Sequence, residues 1–68
     1  MYSWEKEKAY NAHRAAAAAA EMEEAIRTID IPRFTAAYQV ALRYMNKKPR
    51  SEYYRRMLAA ANVAQKAQ

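Results

Sequence analysis

Glycine is absent from this chain, and its two prolines are Pro32 and Pro49. Tight β-hairpins and phosphate-cradling loops draw on glycine for their left-handed positions, so its absence disfavours both. Seventeen residues are alanine, the best helix former. A proline cannot sit inside a continuing helix, and it biases the residue before it away from helical backbone. The two prolines therefore cut the sequence into three segments, each rich in helix formers. The pattern predicts an all-α protein of one domain. A long N-terminal helix over about 3–28 packs on a C-terminal helical hairpin, with helix 2 over about 31–45 and helix 3 over about 49–65. No alternating β pattern and no convincing internal repeat interrupts this reading.

Each junction carries helix-end chemistry. Ser3 is placed to cap helix 1, with Glu5 and Glu7 in the first turns, where the helix dipole favours acids. Asp30 is the expected cap of helix 2, and Ile29 and Phe34 occupy the two positions of a hydrophobic staple. Asn46 can supply the left-handed residue that ends helix 2, with Lys47 and Lys48 beside its negative end. Glu23 and Arg27 stand four apart, the favourable order for a pair along a helix. Glu21, Glu23 and Glu24 crowd the end of helix 1 that the dipole disfavours, a cost that a basic surface opposite would offset.

The stretch Asp30–Met45, DIPRFTAAYQVALRYM, holds the densest run of large apolar side chains. Phe34, Ala37, Tyr38, Ala41, Leu42 and Met45 fall on one helical face. In helix 1 the corresponding face is Trp4, Ala15, Ala18, Ala19, Met22, Ala25, Ile26 and Ile29. In helix 3 it is Tyr53, Tyr54, Met57, Leu58, Ala60, Ala61 and Ala64. Phe34, Tyr38, Leu42, Met57 and Leu58 are expected in the core. Asp30, Tyr38, Ala41 and Leu42 look similar to the second half of a tetratricopeptide unit. Met22 and Phe34, however, fall where that repeat needs small residues, so the similarity is that of a helical hairpin and carries no family.

Charge is divided unevenly along the chain. The net charge is +5. Residues 1–30 carry four basic and six acidic groups, a balance of −2, and residues 31–68 carry eight basic groups and one acid, a balance of +7. Such asymmetry points to an anionic partner surface, or to contact between unlike ends of two copies. No signal or transit peptide is visible, and no apolar run is long enough to span a bilayer. A cytoplasmic protein without membrane contact is expected, of the size of many phage and plasmid accessory proteins.

Catalysis has little to draw on. The chain has one His, one Asp, two Ser and no Cys. A Ser–His–Asp triad or a His-based metal site needs partners that this composition hardly supplies, and a bundle-type di-metal site would need a Glu-x-x-His motif that is missing. His13 falls on the solvent side of helix 1. No enzymatic activity, no cofactor and no metal are expected.

Two binding faces remain. Arg33, Val40, Arg43, Tyr44 and Lys47 lie opposite the main stripe of helix 2. Aromatic residues ringed by arginine are common at interface hot spots, so these five are the expected anchors of a small regulator or inhibitor that docks on an acidic surface of a partner protein. If a neighbouring helix covers Val40 and Tyr44, they are core instead. The second face is the segment Lys47–Arg56, which interleaves cations with Tyr53 and Tyr54. Lys47, Lys48, Arg50, Arg55 and Arg56 form the alternative, a nucleic-acid-binding hairpin. Finally, a helix 1 near 40 Å long outreaches two shorter helices. A homodimer that covers the overhang, with Trp4 or Ala15–Ala19 at its interface, is expected.

Overall fold

The structure, a computed structural model, describes residues 4–67 and the side chains from Glu5 onward. The expected Ser3 cap and the Trp4 side chain lie outside the described residues. Three helices follow in order: α1 over Trp4–Thr28, α2 over Ile31–Tyr44 and α3 over Lys47–Lys66. The long α1 packs on α2 and α3, which form a hairpin, and its main contact is with α2.

The turn between α1 and α2 is tightly specified. The Ile29 amide donates to the Ile26 carbonyl at 3.3 Å, and the Asp30 amide donates to the Ala25 carbonyl at 2.8 Å. Together these bonds make a Schellman closure, which requires a left-handed residue between them. Glycine would ordinarily supply it. Here Ile29 does so, with φ 53°. Asp30 then caps α2 as expected, its carboxylate accepting the Arg33 amide at 3.1 Å.

The second turn departs from expectation. Asn46 is not left-handed. Met45 and Asn46 are both extended, and α3 starts at Lys47, two residues before Pro49. A proline is tolerated there because the first amides of a helix have no intrahelical acceptor anyway. Lys47 and Lys48 accordingly lie in the first turn of α3, which holds no acid and where the dipole opposes cations.

The core is small and rich in alanine. Ala18, Met22 and Ala25 of α1, Phe34, Ala37 and Ala41 of α2, and Met57 of α3 are buried. Alanine on both sides of the α1–α2 crossing lets the two backbones approach closely. Ala18, in the middle of the Ala15–Ala20 run, is spent on this crossing within one chain. Tyr38 is half-buried, its ring 5.7 Å from Phe34 and 5.6 Å from Tyr54. Leu42 and Leu58, expected in the core, are exposed at 45% and 53%. α1 covers the Ala37–Ala41 edge of the α2 stripe. Leu42 lies about 100° further round the helix from Ala41, beyond that cover.

The helices are staggered rather than stacked flush. The Cα extents are 57 × 18 × 13 Å, and the radius of gyration is 14.1 Å. A compact chain of this length would have about 11 Å. Tyr10 meets Tyr44, the last residue of α2, so the first turns of α1 run past that end.

Candidate protein-binding face

The acidic end of α1 is answered from within the chain. Arg33 of α2 grips Glu21 with Nε and a terminal nitrogen at 2.7 and 3.2 Å. Arg56 of α3 grips Glu23 with both terminal nitrogens at 2.6 and 2.8 Å. Glu24 pairs with Arg27, one turn on, so the expected Glu23–Arg27 pair gives way to these two partners. Hydrogen bonds from Arg33, Arg56 and Arg27 are the leading reason that Glu21, Glu23 and Glu24 are held below the ordinary carboxylate range. The three glutamates thus recruit one arginine each from α2, α3 and α1 itself.

This arrangement reassigns several candidate residues. Of the five on the second face of α2, Arg33 is occupied by Glu21. Val40 is half-buried against the core, and it lines a shallow cavity with Arg14, Ala17, Ala18, Glu21 and Ala37. Tyr44 is half-buried, with the Tyr10 ring edge-on at 6.1 Å and the Arg14 guanidinium over its face at 5.5 Å. Arg43 and Lys47 are exposed and form no ion pair among the described residues. α1 therefore covers part of the apolar side of this face and leaves Arg43 free at its rim, while Lys47 belongs to α3.

The five residues of the basic segment are not brought to one surface either. Arg56 is tied to Glu23 and stands 5.4 Å over the Tyr53 ring, on the α1 side of α3. Arg50 is half-buried, with its Nε enclosed and without a hydrogen-bond partner. Lys47, Lys48 and Arg55 are exposed.

The face that stands open lies between α2 and α3, away from α1. Ile31, Tyr54 and Leu58 are each about half exposed there, and Leu42, equally exposed, follows Ile31 at i+11 along α2. Between Ile31 and Leu58 a cavity of about 210 Å³ is floored by Phe34, Met57 and Ala61. Sequence periodicity marked Leu42, Tyr54 and Leu58 as apolar but assigned them to the core. The signal that separates them is the alanine content of the neighbouring edge, because a helix that docks on alanine leaves the larger side chains beside it uncovered.

Among the described residues, no group of three His, Cys, Asp or Glu side chains is placed to hold a metal ion. No described helix is long and apolar enough to cross a membrane. No family model, no curated protein and no solved structure matches the chain.

Proposed function

We propose that this protein is a non-enzymatic binding protein, a small helical regulator or inhibitor that docks on an acidic surface of a partner protein. The observation that carries this reading is the outer face of the α2–α3 hairpin. Ile31, Leu42, Tyr54 and Leu58 are exposed there, with Arg55 one turn before Leu58 and Lys47 two turns before Tyr54 on α3 and Lys48 further round its first turn, cations without an ion-pair partner among the described residues. Apolar anchors with a cationic rim match the anatomy of a protein interface. The accessible surface is 5347 Å², against about 4,400 Å² for a folded monomer of this mass. The excess goes with the elongated, staggered arrangement of the three helices.

The test is affinity capture from the native host with and without nuclease, alongside a Lys48→Glu/Arg55→Glu variant. A protein that survives nuclease and is lost with the variant is the expected result. The nucleic-acid alternative has one observation in its favour: Lys47 and Lys48 open α3 at its amide-rich end, with Arg50 behind them. Capture that nuclease abolishes would favour that alternative. So would sub-micromolar duplex binding that falls steeply with salt and is lost in Lys47/Lys48/Arg50→Glu. The homodimer has a narrower basis than before, because the acidic end of α1 finds its arginines in its own chain. Light scattering coupled to size exclusion tests it, and a well-folded monomer at micromolar concentration removes it.

A further inference from the structure

We infer that the groove between α2 and α3 receives an amphipathic helix of the partner, apolar on one face and acidic along its flanks, which lies there as a fourth helix. The inference rests on the reading just given and adds the form of the ligand.

Length and shape come first. Along one side of α2, Ile31, Thr35, Tyr38 and Leu42 follow at i, i+4, i+7 and i+11, with the cavity at the Ile31 end and the Tyr38–Tyr54 ring contact next to it. That span is about 17 Å, or three turns of an α-helix. Its cavity of about 210 Å³ is smaller than the ~300–1,000 Å³ of small-molecule sites. It has room for one large side chain. An apolar trough of helical length with one deeper pocket suits a helix that presents anchors at i, i+4 and i+7. A concave floor also fits a rod better than a flat bilayer.

Charge then chooses the occupant. α2 contains no acid, so its side of the groove is rimmed by Thr35 and Gln39. On α3, Arg55 stands one turn before Leu58 and Lys47 two turns before Tyr54, both on or beside the groove edge. Glu52, the one acid of α3, lies about 120° round that helix from Leu58, on the side away from α2. A second copy docked groove to groove would set Arg55 and Lys47 against themselves. On the α1 of a second copy, Glu21, Glu23 and Glu24 are held by their own arginines, and Glu5 and Glu7 alternate with Lys6 and Lys8, so that end carries no net negative charge. An acidic helix from a different protein meets no such opposition.

The experiment is selection from a displayed library of helical peptides about 14 residues long, with leucine fixed at i, i+4, i+7 and i+11 and all other positions random. The full chain is the bait, and anisotropy of the winning peptide is the readout. Enrichment of Asp and Glu beside the leucines is expected. Leu58→Glu should weaken binding at least about tenfold, because it buries an unpaired like charge. Val63→Glu makes the same apolar-to-acid change about 140° round α3 from Leu58, off the groove and away from Arg55, and should leave affinity within about twofold. Both positions are exposed, and circular dichroism verifies that the variants fold. Acidic peptides that bind Leu58→Glu unchanged but are lost in Lys48→Glu/Arg55→Glu would overturn the groove and leave the acidic-partner reading standing. Failure to enrich any peptide, or winners without acids, overturns the inference. So does a micromolar dimer that Leu58→Glu dissolves, since the groove would then belong to a second copy.

Discussion

Ile29 is the one non-glycine residue at positive φ among the described residues, and its β-branched side chain makes the position costly. Left-handed backbone sets Cβ against the following carbonyl at roughly 1–2 kcal/mol, a cost glycine escapes. Ile29→Gly is therefore expected to raise stability by about 1 kcal/mol, or roughly 4–8 °C in melting temperature. A lowered melting temperature would show that the Ile29 side chain contributes more than its backbone costs. A second expectation separates true core from apparent core. Met22 is fully buried, so Met22→Ala should cost about 2–5 kcal/mol. Leu42 belongs to the densest stripe in the sequence but stands half in solvent, so Leu42→Ala should cost only about 0.5–1 kcal/mol. Equal losses in a denaturant titration would place Leu42 back in the core.

At the scale of elements, helix number and order were legible because Asp30, Pro32 and Pro49 act locally, through a cap and through missing amides. The covered and uncovered sides of α2 were not, because periodicity reports only that residues share a face. Which part of that face another helix takes depends on how closely the backbones approach, and this is a property of pairs such as Ala18 with Ala41. Exposure along α2 was legible in composition but not in position, for the same reason. Val40 and Tyr44 are half-buried beside α1, while Leu42 and Leu58 stand about half in solvent. What joins the elements beyond this small core is charge. Glu21 to Arg33 ties α1 to α2, and Glu23 to Arg56 ties α1 to α3. Exposed pairs of this kind add little each and are screened by salt, yet they fix which turn of α1 faces which arginine. Their pH dependence has a definite sign. These carboxyls titrate lower in the folded chain than in the unfolded one. Their contribution is whole above the unfolded value of about 4.3 and is lost as pH falls through the folded value. The melting temperature should drop as pH falls below about 4.3, and Glu21→Gln/Glu23→Gln should flatten that drop. An undiminished drop in the double variant would assign it to other carboxylates.

As a whole molecule, the chain is a staggered rod whose core holds few large side chains. Four of the seven buried side chains among the described residues are alanine. The heat capacity of unfolding comes from apolar area newly exposed to water, about 0.45 cal/mol/K per Å², and alanine exposes little. Scanning calorimetry should therefore give less than the ~12–15 cal/mol/K per residue of ordinary globular domains. A value inside that range would mean that more apolar surface is hidden than the described core contains. A small heat capacity flattens the stability curve. Warming and cooling then change the folded fraction slowly, and the temperature of cold unfolding recedes.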